Sequence, residues 1–352
     1  MGPARVISVD SHVYLGHDAI RQRLAPNVHE AYDAAVAAHD RAMAELRGGQ
    51  AFGMEIFRHE AAGRAGYRDP AERLRDMDAD GVEVEVLYSE LSAFRFFPLI
   101  GEEWRTVARA FNDALADFAA IDPKRLLVSY QLPILDIDFA VAELERLAER
   151  GARSVHLPNY PQEVGCPDYF DPRYDPLWAR LSEMGIPVSQ HLGIKESLYD
   201  VCRRDPTPQK GIFASLPPMM LAENIGFWIM TGVLERFPEL RIVIVEPGLT
   251  WVPFYLDQLD LAVRAGFQFP GLVELPSDYY KRQMYLTFVD DARGLRDRHE
   301  LGVENLMWST DYPHPQCSWP NSQAVIERQF AGIPDAERDL IVGGNAARVY
   351  GL

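Results

Sequence analysis

Short β-branched runs alternate with stretches of helical spacing along almost the whole chain. Arg5–Val9 reads as a first strand. Val82–Tyr88, Arg125–Leu132, Arg153–Leu157, Ile186–His191, Arg241–Val245, Met284–Phe288 and Asn305–Ser309 read as seven more. Between them the apolar spacing changes to that of helices. Pro70 opens a helix over Ala71–Asp80, with Leu74 and Met77 on one face and Gly81 as its stop. Trp104–Ala120, Ile137–Arg150, Tyr174–Met184, Ala222–Phe237, Trp251–Ala265 and Ala292–Leu301 follow the same rule, and Ser322–Phe330 and Pro334–Tyr350 close the chain. Two stretches exceed a simple connection: Asp18–Gly66, helix-rich with alanines around Tyr32–Leu46, and Gly193–Pro218. Both read as insertions that cover a site.

Strand-helix alternation requires parallel pairing, with strands buried on both faces. Eight such units close most economically as a (β/α)8 TIM barrel, expected here as one domain over residues 1–352. An open doubly wound sheet would carry a Gly-rich turn after its first strand. Here that strand runs into Asp10-Ser11-His12 instead.

Composition narrows the partners. The 352 residues are 47% hydrophobic and 25% charged, with a formal net charge of −17. That charge argues against nucleic acid and against an anionic membrane surface, and leaves a small-molecule substrate as the expected partner. Cys166, Cys202 and Cys317 lie far apart, without disulfide-scaffold or metal-finger spacing. No apolar run is read as membrane-spanning and no signal pattern is seen, so the expected location is cytoplasmic.

The chemistry lies at the strand ends, where barrels build their sites. Asp10 and His12 follow strand one, Tyr88 and Glu90 strand two, and Gln131 strand three. His156 lies in strand four. His191 follows strand five, Glu246 strand six, Asp290 and Asp291 strand seven, and Asp311 strand eight. Asp311 ends an apolar run that Pro313 and Pro315 forbid to continue, with His314 in the loop beyond. Asp10, His12, His191 and Asp311 make a two-His, two-carboxylate set suited to one Zn²⁺ or Mn²⁺ ion. Asp10 and His12, two apart, share a face of an ideal strand. Each residue alone has an ordinary reading, as a core histidine or a loop-capping acid. Unrelated core histidines, however, have no reason to choose strand ends. Tyr88, Arg95, His156, Trp251 and Trp319 are candidates to contact substrate. For the aromatics and for His156 the competing reading is packing.

These motifs resemble the aminocarboxymuconate-semialdehyde decarboxylase-like branch of the amidohydrolase superfamily. The resemblance rests on Val9-Asp10-Ser11-His12, on Ile186–His191, on Phe237–Glu246, on Trp308–His314 and on Gly344–Leu352, and spans essentially the whole chain. It implies a metal-dependent barrel with Asp10, His12, His191 and Asp311 as ligands. It also implies Asp311 as a proton carrier, helped by His314 or Glu246, and a dimer by family habit. Two positions depart from the family pattern. Asp10 stands where His is common, and Glu246 where a strand-six His is common, which puts an anion in place of a proton donor. The expected reaction is non-oxidative decarboxylation of a small cyclic or unsaturated acid. The alternatives are hydrolysis of an amide, lactone or related bond by a metal-activated water, and a metal-free barrel with a binding role.

Overall fold

All eight expected strands form in the computed structural model, which describes residues 5–48, 63–269 and 271–352. They are β1 (Ile7–Val13), β2 (Val84–Ser89), β3 (Leu126–Gln131), β4 (Ser154–His156), β5 (Val188–His191), β6 (Ile242–Val245), β7 (Met284–Phe288) and β8 (Leu306–Trp308). Each pairs in parallel with the next, in sequence order. The ring closes through a parallel bridge between Ser11 and Tyr312. There the His12 amide donates to the Tyr312 carbonyl and the Asp311 amide to the Asp10 carbonyl. The expected TIM barrel is therefore the observed fold.

β1 runs four residues further than its apolar pattern, through Asp10 to Val13, and every residue in it is buried. Its polar positions find partners inside the barrel. Ser8, Ser11 and Thr310 hydroxyls lie 3.0–3.2 Å apart, and those of Ser129 and Ser154 lie 2.8 Å apart. Below this hydroxyl layer Ile7, Val9, Val84, Val86, Val243 and Met307 fill the interior, and Val349 and Tyr350 of the last helix plug it from beneath. The larger apolar layer lies between strands and helices.

The expected helices are present, with three breaks and one omission. Ala222–Phe237 is two helices, Pro217–Met230 and Val233–Arg236, parted at Gly232, whose φ of +75° ends the regular spiral. Ala292–Leu301 is a 3₁₀ turn, Gly294–Asp297, followed by the short helix Arg298–Leu301. Pro334–Tyr350 divides into Asp335–Asp339, a π-helical turn Leu340–Gly344, and Asn345–Tyr350. A Cβ on Gly343 would meet the Arg5 carbonyl oxygen at 1.9 Å, so the chain passes too close to the start of the barrel for any side chain. The helix Pro276–Gln283 has no clear apolar stripe in sequence and is held by buried Tyr279 and Tyr280.

One stretch meets the composition of a membrane span without being one. Pro208–Met230, 23 residues, contains an 18-residue window of mean hydropathy 1.2, long and apolar enough to cross a membrane by length and composition alone. Positive φ at Gln209 and Lys210 interrupts the spiral, and Leu221, Ile225, Trp228 and Ile229 pack into the barrel wall.

The two insertions meet over the carboxyl ends of the strands. The first contributes helices Gly16–Arg21 and His29–Leu46, and part of it, including His59, falls outside the described residues. The second contributes Tyr199–Arg204 and Gly211–Ala214. Leu198, Tyr199, Cys202 and Phe213 form an apolar cluster against Met43 and Leu46.

Candidate metal centre

The strand ends bring Asp10, His12, His191 and Glu246 together so that one donor atom from each lies within 4.8 Å of the others. His12, Asp311 and His314 form a second such group that shares His12. His191 Nε2 is 3.1 Å from Asp10 Oδ1 and 3.6 Å from Glu246 Oε2. His12 Nε2 lies 3.3 Å from Asp311 Oδ1 and 3.6 Å from Asp10 Oδ1. The two imidazoles meet edge to face, with centroids 4.8 Å apart. Three of the four expected ligands, Asp10, His12 and His191, thus share a group with Glu246, while Asp311 meets that group through His12.

The backbone is strained where two of these carboxylates leave their strands. Glu246 (φ +62°) and Asp311 (φ +56°) are two of four described non-glycine residues in the left-handed region. Such strain persists only where the surroundings hold it, and it gathers at functional sites. The Glu246 amide donates to Thr287 Oγ1 at 3.0 Å, which ties that turn to β7.

The donor set fits a divalent cation. His191 Nδ1 faces the Leu192 carbonyl at 2.9 Å, which only accepts, so Nδ1 carries the hydrogen and Nε2 faces Asp10 and Glu246. A lone pair aimed at two carboxylates needs a cation between them. In the protein by itself a proton serves. Burial would lower His191, but the Asp10 carboxylate outweighs it and holds the imidazole up to about 10. Asp10 Oδ2 and both ring nitrogens of His12 are buried with no aligned hydrogen bond. Such groups are rare in folded proteins unless a ligand completes them. Burial, then the nearby Asp311 and Asp10 carboxylates, push Glu246 well above the usual carboxylate range. A crowd of anions of this kind is what a metal ion neutralises.

A second chain of contacts runs behind Asp311. His314 Nδ1 lies 2.7 Å from Asp311 Oδ1, and His314 Nε2 lies 3.1 Å from Glu90 Oε2. The same Glu90 oxygen is 3.4 Å from His12 Nδ1. Burial opposes both ionised partners. Even so, Asp311 and Glu90 hold His314 well above its ordinary value, and His314 and His12 hold Glu90 down at about 2. Asp311 is likewise held below the carboxylate range by His314 and His12, against the effect of burial. Glu90 had no assigned role in the sequence reading. Its place just beyond β2 was the only signal, and its bridge between two histidines exists only in three dimensions.

Behind His12 sits a fully buried ion pair. Arg73 Nη1 donates to Glu85 Oε2 at 2.9 Å and Nε to the Gly66 carbonyl, while Nη2 donates to the His12 carbonyl. The guanidinium lies over the Tyr312 ring, 4.3 Å from its centroid. Arg73 therefore ties the β1 ligand to the β8 loop. The sequence reading assigned Arg73 no role, because its partners lie on other elements.

The centre opens into a cavity of about 860 Å³ lined by residues including Tyr88, Phe94, Arg95, His156 and Phe288. Tyr88 lies beneath it, 4.9 Å from the His191 ring and 5.6 Å from that of His156. Burial, with His191 and His12 nearby, pushes His156 well below its ordinary value and keeps it neutral. Arg95 lines the cavity, but its charge is taken up by Glu163 at 2.6 Å and Glu196 at 3.0 Å. Arg95 therefore reaches the cavity as an already paired cation. Two expectations are corrected. Trp251 and Trp319 are absent from the cavity wall. The Trp251 indole donates to the Pro247 carbonyl at 2.6 Å. The Trp319 ring packs on Tyr312 and its indole donates to the Asp76 carbonyl at 3.3 Å. Both anchor turns. Asp291 does the same, accepting from the Leu249, Thr250 and Gly294 amides.

The sequence model of the amidohydrolase family matches residues 9–352. The gamma-resorcylate decarboxylase of Rhizobium sp. (strain MTP-10005) is 26% identical over 303 residues, 80% of this chain and 86% of that protein. In fold, the chain resembles the 5-carboxyvanillate decarboxylase of Sphingomonas paucimobilis, with a TM-score of 0.72 at 24% identity over 99% of this chain and all of that one. It also resembles a dihydroxybenzoic acid decarboxylase of Polaromonas sp. JS666, solved with manganese and 2-nitroresorcinol. That likeness has a TM-score of 0.71 at 19% identity, over 99% of this chain and 98% of that one.

Proposed function

As the chain belongs to the amidohydrolase family, we propose that it is a divalent-metal-dependent, non-oxidative decarboxylase of a small aromatic or cyclic carboxylic acid. The observation that carries this reading is the convergence of Asp10, His12, His191 and Glu246, with Asp311 and His314 at the edge of the same cavity. Decarboxylases among the relatives support the reaction class, and the manganese in a fold neighbour supports Mn²⁺ over Zn²⁺.

Asp10, His12, His191 and Asp311 would hold the ion, with Glu246 within reach of the same position. Once bound, it supplies positive charge that draws in the substrate carboxylate and stabilises the charge left as CO₂ departs. His314 faces Asp311 across 2.7 Å, and this pair would carry the proton for the carbon that loses CO₂ at the edge of the metal position. Glu90 orients His314 from the far side. Tyr88, Phe94 and Phe288 supply apolar wall against which a ring lies, and the insertions close the cavity above it. No strand-six histidine is required in this arrangement, because the loop after β8 brings an imidazole to Asp311 instead.

The test is to load the protein with Mn²⁺ or Zn²⁺ and incubate it with hydroxybenzoic acids while measuring CO₂. Release of CO₂ with one proton taken up per turnover supports the reading. Cleavage of amide or lactone substrates with uptake of water, and no CO₂ from any acid, replaces it with the hydrolytic one.

A further inference from the structure

We propose, resting on the decarboxylase reading above, that Gln131 is a positioning residue for the reaction. Its side-chain amide takes the place of a neighbouring strand beside the turn after β2, and so aims Glu90 between His314 and His12.

The ladder between β2 and β3 runs from Glu85 opposite Leu126 to Leu87 opposite Val128. Beyond that point β3 pairs with β4, with Gln131 opposite His156. The chain past β2 leaves the β3 side of its backbone to a side chain, that of Gln131. Its Nε2 donates to the Leu91 carbonyl at 2.7 Å, and its Oε1 accepts from the Ala93 amide at 2.8 Å. These two groups flank Ser92, and a parallel-strand residue opposite Ser92 would serve the same two. The carbonyl can only accept and the amide can only donate, so the orientation of the Gln131 amide is fixed. Ala93 is fully buried, and loss of its acceptor would strand the amide and free the turn to shift.

The anchor is itself held. Gln131 is fully buried, its carbonyl accepts from Asn112 Nδ2 at 3.1 Å, and the next amide, of Leu132, donates to the His156 carbonyl. On the other side of the turn the Glu90 amide donates to the Val13 carbonyl at 2.9 Å. Glu90 is therefore tied to β1 through its own amide and to β3 through the carbonyl of the following residue. That sets the direction of a carboxylate standing 3.1 Å from His314 and 3.4 Å from His12. Gln131 is absent from the cavity wall, whereas Ser89, Glu90, Ser92, Phe94 and Arg95 lie on it. Its effect on the reaction passes through the turn it holds.

The test compares the Mn²⁺-loaded chain with its Gln131→Met, Gln131→Glu and Glu90→Gln variants and with the Gln131→Met, Glu90→Gln double variant. CO₂ release per bound metal is followed with the hydroxybenzoic acid that the unaltered chain turns over fastest, 2,6-dihydroxybenzoate being tried first. Amide exchange read by mass spectrometry reports on residues 90–94. Met removes both hydrogen bonds, and Glu keeps the acceptor but sets an oxygen against the Leu91 carbonyl. Each is expected to lower kcat about tenfold or more, with a smaller change in KM, because a displaced Glu90 misaligns the proton-carrying pair. Exchange should accelerate in 90–94 and not in β3. The double variant should be no slower than Glu90→Gln alone, since Gln131 works through Glu90. A general packing defect would instead multiply the two losses. Unchanged kcat or unchanged exchange in a folded Gln131 variant overturns the inference, as do multiplying losses. Either Gln131 substitution suffices if the other prevents folding. If the unaltered chain releases CO₂ from no hydroxybenzoic acid, the decarboxylase reading fails instead, and this inference with it.

Discussion

His314 Nδ1 stands 2.7 Å from Asp311 Oδ1, three residues earlier on the same loop. Pro313 and Pro315 flank the histidine, so a stiff turn, and not a second strand, delivers the imidazole to the carboxylate. Asp311 is thereby both a candidate ligand and a candidate acid.

Replacing Asp311 with Asn keeps the shape and removes the ionisable proton carrier. Turnover of a hydroxybenzoic acid should fall by about 10²–10⁴. Metal content, read by elemental analysis of the same preparation, should fall less than in a histidine variant, because Asp10, His12, His191 and Glu246 remain. Near-normal turnover in the Asn variant would remove Asp311 from the mechanism.

His191 reports on the metal directly. Protein purified without added metal should hold about one Mn or Zn per chain, and His191→Ala should lose most of it. Chelation should abolish activity, and Mn²⁺ should restore it to the unaltered chain alone. Equal metal in both proteins would show that the ion binds elsewhere.

The Arg73–Glu85 pair is buried on both sides, at 0% and 3% side-chain exposure. Arg73→Met leaves Glu85 uncompensated and the His12 carbonyl without its donor. A loss of about 3–5 kcal/mol is expected, read from urea unfolding. Adding Glu85→Gln should recover part of that loss. If the double variant is no more stable than the single one, the cost comes from packing and not from the stranded charge.

Asp205 organises the second insertion by accepting from Thr207 Oγ1 and from the Thr207 and Phe213 amides. Burial opposes its ionisation, but these hydrogen bonds hold it at about 2 against an ordinary value of 3.8. A carboxyl lowered by folding binds its proton more weakly in the folded state. Its stabilisation is therefore present above pH 3.8 and lost as the pH falls towards 2. Amide exchange in 199–214 should accelerate across that window in the unaltered chain, and Asp205→Asn should show the faster exchange already at neutral pH. No difference between the two proteins at neutral pH would dismiss the role.

The eight strands were legible because a parallel strand buried on both faces must be apolar and short, and a local window contains that information. The strand-end placement of Asp10, His12, His191 and Asp311 followed from the same periodicity, since a polar residue stands out where an apolar run stops. Trp251 and Trp319 were misread because an aromatic near a strand end looks the same in sequence whether it faces a cavity or clamps a turn. Which donors converge, that Glu90 joins two histidines, that Arg73 lies buried beneath His12, and that Arg95 is already neutralised depend on closure of the barrel. Closure brings residues hundreds of positions apart to within hydrogen-bonding distance, and no local pattern records those distances.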